Sequence, residues 1–113
     1  MQTDVKTRTI TWTGASGSKY QYKIFPIGTT MNDTPGNYIF AKETKPGTFR
    51  PIYVGETESL ADRLNNPAGH HKWACIKRQG ATHICAHVNT RGARARRAEE
   101  ADLLAALKLP CND

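Results

Sequence analysis

Residues 51–64 hold the pattern that most constrains the fold, because a predicted strand there runs directly into a predicted helix. Ile52 and Val54 alternate with Tyr53, as in a half-buried strand. The alternation predicts that the two aliphatic side chains share one sheet face and that Tyr53 points to the other. Gly55 allows a tight exit from the strand. Tyr53 is therefore expected to lie close to the element that directly follows the strand.

A short helix is predicted directly after this strand. Thr57 is the predicted N-cap, and Glu58 in the first turn suits the helix dipole. Leu60 and Leu64 lie one turn apart on a single face, and Arg63 lies at the edge of that face. A tyrosine on the strand and an arginine on the helix are thus expected near one sheet surface.

The remaining elements follow from alternation, from helical spacing and from turn residues. Residues 8–13 and 19–25 form a predicted N-terminal hairpin around a Gly-Ser turn, followed by a loop at 26–35. The hairpin aromatics could stack on bases, but packing onto the core is the favoured interpretation. A strand at 37–42 should pair antiparallel with the Tyr53 strand. A helix at 72–77 ending at Gly80, a strand at 82–88 and a helix at 93–108 complete the chain.

Size and composition favour a single domain. The chain has 113 residues, of which 38% are hydrophobic, and no apolar run approaches the ~20 residues that span a membrane. Residues 1–6 do not resemble a secretory signal, which predicts a cytoplasmic protein. Cys75, Cys85 and Cys111 are an odd number without a CxxC pair, so free thiols in a reducing compartment are expected.

A basic block lies in the second half of the chain. The net charge is +6, and residues 65–97 contain no Asp or Glu. A block of one sign favours a polyanionic partner such as nucleic acid, although a solvated basic face would have the same composition. The candidate nucleic-acid contacts are Lys42, Lys72, Lys77, Arg78, Arg91, Arg94, Arg96 and Arg97.

The last helix places one carboxylate on its apolar stripe. The stripe is formed by Leu103, Leu104 and Leu107, and Glu100 precedes these residues by three, four and seven positions. Glu99 and Asp102 are predicted to face solvent. A carboxylate at the end of a buried face must meet a cation, since burying it alone is costly.

Two partners for Glu100 remain open at this stage. One is a salt bridge to Arg96 or Arg63. The other is Mg²⁺ or Mn²⁺, since hard cations prefer oxygen ligands. Helix geometry alone does not choose between them.

Histidines and cysteines suggest a rival metal site. His83, Cys85 and His87 share one strand face, and His71 and Cys75 are about one helical turn apart. Together they could bind zinc. The spacing fits no recognised zinc pattern, so a polar sheet face is the favoured interpretation.

Four short motifs in register resemble the GIY-YIG endonuclease superfamily. They are Gly36-Asn37-Tyr38, Tyr53-Val54-Gly55, Arg63, and Glu100 with Leu103-Leu104 and Pro110-Cys111-Asn112. The resemblance covers residues 36–112 and leaves the N-terminal hairpin and loop, residues 1–35, outside. It implies an α/β domain of the α+β type, with a central three-stranded antiparallel sheet flanked by helices and the hairpin as an addition.

The resemblance also implies metal-dependent hydrolysis of DNA phosphodiesters. Glu100 would hold one Mg²⁺ or Mn²⁺, and Arg63 would bind the scissile phosphate. Tyr38 or Tyr53 would help to activate water, and Asn112 would buttress the site. Phosphodiester hydrolysis does require a Lewis acid, a cation and a base.

Two positions depart from the family pattern. Asn37 replaces the isoleucine of the first motif. Many members place a histidine one turn after the motif arginine, where this chain has Pro67. We expect His70 or His71 to return to the site instead, and Lys72 could bind phosphate there.

The sequence thus predicts a small stand-alone DNA endonuclease that ends at the closing asparagine of the family pattern. A non-catalytic nucleic-acid-binding module with the same fold and a zinc-stabilised interaction domain are the alternatives. No membrane partner is expected, and a protein partner or a homo-oligomer remains open.

Overall fold

The computed structural model describes residues 8–112 and has an α+β fold, as predicted. Every predicted strand and helix is present, with changes at its ends. The elements are β1 (Arg8–Thr13), β2 (Lys19–Pro26), β3 (Gly36–Lys45), β4 (Thr48–Thr57), α1 (Leu60–Leu64), α2 (Trp73–Arg78), β5 (His83–Val88) and α3 (Ala93–Ala106), with a 3₁₀ turn at Pro67–Gly69.

The five strands form one antiparallel sheet in the order β1-β2-β5-β3-β4. The sequence predicted three central strands and a separate hairpin. The hairpin instead continues the sheet, because β2 pairs with β5 from Lys23↔Ala86 to Pro26↔His83. The long-range pairing of β2 with β5 joins elements almost sixty residues apart, and no local pattern specifies it.

A hydrophobic cluster covers each face of the sheet. Tyr38, Phe40 and Ile84 pack beneath α1 and α2 on one face, which we call the tyrosine face. The other, which we call the α3 face, buries Trp12 and Leu103. The hairpin aromatics Trp12 and Tyr22 therefore belong to the core, as favoured from the sequence.

A β-bulge on β4 overturns one prediction about side-chain direction. Phe40 pairs with Tyr53, but the next residue of β3 pairs with Pro51, so Ile52 is an extra residue in the ladder. Ile52 and Tyr53 both join the cluster on the tyrosine face, and Val54 joins the other. Simple alternation had placed Ile52 with Val54. One extra residue shifts the register and breaks that alternation.

The start of α1 also differs from the prediction. Ser59 is the N-cap, and its hydroxyl accepts a hydrogen bond from the Asp62 backbone at 3.1 Å. Thr57 ends β4 and its hydroxyl bonds the backbone of Ser59. Glu58 therefore precedes the helix. Hydroxyl side chains cap helices and turns alike, so the sequence did not distinguish these positions.

The stripe on α3 lies differently from its predicted position. Leu103 is buried, but Leu104 is 41% exposed, and Glu99 is only 5% exposed although it was predicted to face solvent. The helix is rotated because polar partners on the sheet bind Glu99. Apolar spacing alone does not reveal such partners.

The prediction of three free thiols is wrong. Cys75 on α2 and Cys111 after α3 form a disulfide across 36 residues of sequence, and Cys85 is a free, buried thiol. Cys111 is fully buried. The argument from free thiols to a reducing compartment is therefore lost. Met1–Lys6, on which the argument against a secretory signal rests, lies outside the described residues. Among residues 8–112 no helix is long and apolar enough to cross a membrane.

Candidate active site

Tyr38 lies against a glycine on the neighbouring strand. Tyr38 and Gly55 are cross-strand partners, and a Cβ on Gly55 would overlap the Tyr38 ring. Gly55 lies inside β4 and is required for this close approach, not for the tight exit predicted from the sequence. The glycine lets the phenol lie flat across β4, so its hydroxyl reaches the loop after α1.

The Tyr38 hydroxyl meets both a histidine and an arginine. Its oxygen lies 2.8 Å from Nε2 of His70, and Nη1 of Arg63 donates to it at 3.4 Å. The backbone N–H of Lys72 donates to Nδ1 of His70 at 3.0 Å. Because Nδ1 is an acceptor there, a neutral His70 carries its proton on Nε2 and donates it to Tyr38.

Tyr53 lies beside the same histidines. Its ring centroid is 5.0 Å from that of His70, and its hydroxyl is 3.5 Å from Nε2 of His71. The two histidine rings stack with centroids 4.6 Å apart. The loop after α1 thus returns both histidines to the site, as expected from the sequence. The Tyr38, Tyr53, Arg63, His70 and His71 side chains are called the tyrosine–histidine cluster below.

Asn112 fixes the exposed edge of β4 next to Tyr53. Its side-chain oxygen accepts from the Val54 N–H at 2.8 Å, and its side-chain nitrogen donates to the Val54 carbonyl at 2.9 Å. The Cys111 N–H donates to the Ile52 carbonyl at 3.2 Å. The C-terminal segment therefore pairs with β4 as a further strand would, on both sides of Tyr53.

Glu100 is half-buried and is electrostatically coupled to the cluster. Burial and the Glu56 carboxylate raise the pKa of Glu100, and Arg63 opposes the shift. Burial and Glu100 raise the pKa of Tyr53, while a hydrogen bond with Tyr38 lowers it. The charge of Glu100 is therefore coupled to those of Arg63 and Tyr53.

Burial also shifts two other groups. It raises the pKa of Tyr38 well above its ordinary value, with a further increase from Tyr53. Burial, His71 and Arg63 lower the pKa of His70 to about 4. At physiological pH His70 is therefore neutral and donates from Nε2 to the hydroxyl of Tyr38, which is itself protonated.

The cluster opens into a cleft of about 460 Å³. Asp62 and Arg63 of α1 line one side, and Asn66, His70 and His71 line the other. A cleft lined by a guanidinium, two imidazoles and the Asp62 carboxylate, with two phenols in contact with the imidazoles, can receive an anionic ester beside groups that exchange protons.

The basic residues form two groups. Arg91, Arg94 and Arg97 are exposed where α3 begins, next to the end of β5 that pairs with the start of β3. Lys77 and Arg78 end α2, beyond which Gly80 lies against the Lys42 side chain at the other end of β3. Lys72 lies beside the histidines.

Arg96 differs from the other candidate contacts. It is only 5% exposed, and its Nε donates to Glu56 Oε1 at 3.0 Å. It therefore is not part of the basic surface. Glu56 itself was missed from the sequence, although its spacing of two from Val54 places it on the face that α3 covers.

The structure does not assemble the rival zinc site. Cys75 is in the disulfide, and Cys85 is buried beside Trp12 and Leu103. Within residues 8–112 no three His, Cys, Asp or Glu side chains come together as a metal-binding group. Asn37, the departure from the family pattern, donates to the Arg96 carbonyl at 2.9 Å and so ties β3 to α3.

No protein-family model, characterised protein or solved structure matches this chain at a significant level.

Proposed function

We propose that the chain is a metal-dependent DNA endonuclease of the GIY-YIG type, which hydrolyses phosphodiester bonds. One observation carries the proposal: two phenols, an arginine and two histidines from four separate segments meet in one cluster. Its arginine and histidines line an open cleft, and the charge of a half-buried carboxylate, Glu100, is coupled to the cluster. Groups for proton transfer, anion binding and a hard cation are all required for phosphodiester hydrolysis.

Each side chain has a distinct role in this proposal. Arg63 binds the scissile phosphate and stabilises the charge that develops on it. Burial and Glu100 raise the pKa of Tyr53, and a cation bound at Glu100 would offset that rise; Tyr53 is also the more exposed phenol, so it is the better base for water. Tyr38 receives hydrogen bonds from His70 and Arg63 and holds Tyr53 in place.

The chemistry of Glu100 fits a divalent cation. Its ionised form is penalised by burial and by Glu56, and a nearby cation would remove that penalty. Mg²⁺ commonly binds one or two carboxylates and keeps several waters, so Glu100 alone can serve as its protein ligand. When bound, the ion would supply Lewis acidity to a phosphate oxygen. Mn²⁺ has the same ligand preference.

The fold and the charges support the same assignment. β3, β4 and β5 would correspond to the three-stranded sheet of the family, and residues 36–112 to its core, with β1 and β2 as an extension. DNA would be the partner, held by two groups of the candidate contacts: Arg91, Arg94 and Arg97 near the start of α3, and Lys42, Lys77 and Arg78 near the end of α2. We keep the cytoplasm as the proposed compartment, with no support from the cysteines.

A cleavage assay tests the proposal. Plasmid, branched and single-stranded DNA are incubated with Mg²⁺ or Mn²⁺ and with wild type, Glu100→Gln or Arg63→Ala. We expect Glu100→Gln to bind DNA without cutting it, and Arg63→Ala to cut about 10²–10³-fold more slowly. Glu58→Gln removes the same charge from an exposed residue just before α1 and should cut like wild type.

Equal cutting by wild type and both variants would remove the nuclease assignment of these residues. Tight DNA binding by wild type with no cutting of any substrate would instead favour a non-catalytic binding module with the same fold.

A further inference from the structure

The N-terminal hairpin has two chemically different faces. Trp12, Tyr22 and Ile24 are buried on the α3 face. On the opposite face every side chain except the half-buried Phe25 is polar and exposed, and the six polar ones form three cross-strand pairs. We call these residues the hairpin platform: Thr9 with Lys23, Thr11 with Gln21, and Thr13 with Lys19.

The hairpin platform lies on the same sheet face as the tyrosine–histidine cluster. Lys23 pairs with Ala86, Ala86 pairs with Tyr38, and Tyr38 pairs with Gly55. These residues form one row across the sheet, and Thr9 extends it onto β1. At a strand spacing of about 4.8 Å, Lys23 is roughly 10 Å from Tyr38 along this row.

An open groove runs between the hairpin platform and α1. It has a volume of about 400 Å³ and is lined on one side by Thr9, Gln21 and Lys23 and on the other by Leu60 of α1. Leu60 is one turn before Arg63, so α1 separates this groove from the cleft of the candidate active site.

Charge favours one kind of occupant. β1 and β2 contain no Asp or Glu, and among residues 8–112 no acidic residue lines the groove. Lysine ammonium, threonine hydroxyl and glutamine amide groups are common donors to phosphate oxygens. The one aromatic ring on this face of β1 and β2, Phe25, lines the groove but is half-buried and packed against the core, so base stacking is not favoured there.

We propose that the hairpin platform binds the sugar–phosphate backbone of the nucleic-acid strand next to the cleaved bond. The proposal rests on the proposed endonuclease function and extends it by assigning a strand-binding role to the segment outside the family resemblance. Contacts to phosphate alone make this binding independent of base sequence. Cleavage would therefore require several nucleotides on the hairpin side of the cut.

Binding without cutting provides the test. A fluorescent DNA duplex is titrated with protein in EDTA, which removes divalent metal, at several salt concentrations. The double variant Lys19→Gln/Lys23→Gln should bind about tenfold more weakly at low salt, and the slope of log K against log[salt] should fall by about two. The control Lys45→Gln/Lys108→Gln removes the same charge outside the platform and should keep the wild-type slope.

Circular dichroism verifies that both double variants are folded. An unchanged slope and affinity for Lys19→Gln/Lys23→Gln overturns the proposal, as does an equal loss in the control or the absence of DNA binding by wild type. If wild type binds but never cuts DNA, and the slope still falls in Lys19→Gln/Lys23→Gln, strand binding by the hairpin platform is supported and the endonuclease assignment is rejected. If wild type cuts DNA and that slope is unchanged, only the proposal for the hairpin platform is rejected.

Discussion

Two clusters of buried polar groups lie on opposite faces of one sheet and differ in how their hydrogen bonds are satisfied. On the α3 face, the Glu99 network consists of Tyr22, Asn37, His87, Asn89 and Glu99. Glu99 accepts hydrogen bonds from Tyr22 at 2.6 Å and Asn89 at 3.3 Å, and lies 2.9 Å from Nδ1 of His87. On the tyrosine face, the tyrosine–histidine cluster opens into a cleft.

The difference separates a structural role from a functional one. Every polar side chain of the Glu99 network has a partner within the protein, so the network holds β2, β3, β5 and α3 together. In the tyrosine–histidine cluster, Arg63 has only a long bond to Tyr38, and the hydroxyl of Tyr53 lies 3.5 Å from His71. These groups retain capacity for an anion and for proton transfer.

Neighbouring acids on α3 show the same contrast. Glu99 points into its network, while Glu100 faces the like charge of Glu56. One carboxylate contributes stability through its bonds, and the other costs stability when ionised. A charge kept at a cost is typical of a functional site.

The largest expected effect compares tyrosines from the two clusters. Tyr53→Phe should lower the cleavage rate about 10²–10⁴-fold, because it removes the proposed base. Tyr22→Phe should leave the rate unchanged and lower the free energy of unfolding by about 1–3 kcal/mol, since Glu99 loses a buried partner. Single-turnover plasmid cleavage and urea denaturation measure the two effects. A similar loss of cleavage in both variants would contradict the assignment of a functional role to one cluster and a structural role to the other.

A second comparison uses the same substitution at adjacent acids. Glu99→Gln should lower the free energy of unfolding at pH 7 by about 1–3 kcal/mol. Both carboxylate oxygens of Glu99 accept hydrogen bonds, and the NH₂ group of a glutamine would replace one of them, facing either Asn89 or the pair Tyr22 and His87. Burial raises the folded-state pKa of Glu100, so its ionised form is destabilising above that pKa, and Glu100→Gln should leave stability unchanged or raise it. Urea denaturation measures both variants. Greater destabilisation by Glu100→Gln than by Glu99→Gln would contradict this prediction.

The smallest expected effect is a pH dependence specific to His70. Its folded-state pKa is about 4, below the ordinary value of 6.5, so the unfolded chain binds the extra proton first. Stability is fully present above pH 6.5 and is lost as pH falls toward 4, by about 2 kcal/mol between pH 7 and pH 5.

Paired variants isolate this contribution. His70→Gln should flatten the decline in unfolding free energy between pH 7 and pH 5, whereas His83→Gln, on the far side of the sheet, should keep it. An equally steep decline in the His70 variant would show that other groups cause it.

Local patterns predicted the elements well and their details poorly. Alternation located β1, β2 and β5, whose two faces differ chemically, while β3 and β4 were located by runs of aliphatic and aromatic residues that are buried on both faces. The bulge at Ile52 escaped prediction because an extra residue leaves the composition of a strand unchanged. The predicted N-cap was Thr57 and the observed one is Ser59; the sequence did not separate them because both hydroxyls bond to nearby backbone groups.

Parts of the candidate site were also predictable. Tyr38, Tyr53 and Arg63 were proposed from spacing and resemblance, and the structure brings them together with His70 and His71. Glu56, the buried pairing of Arg96 and the Cys75–Cys111 disulfide were not anticipated, since each joins segments at least 36 residues apart.

The sequence by itself determined where strands, helices and turns lie, because these depend on residues a few positions apart. Tertiary structure alone decided which of two adjacent glutamates is buried, and it alone joined the hairpin to the central strands. Both outcomes depend on partners from distant segments, whose hydrogen bonds and packing outweigh the local preference of a single residue.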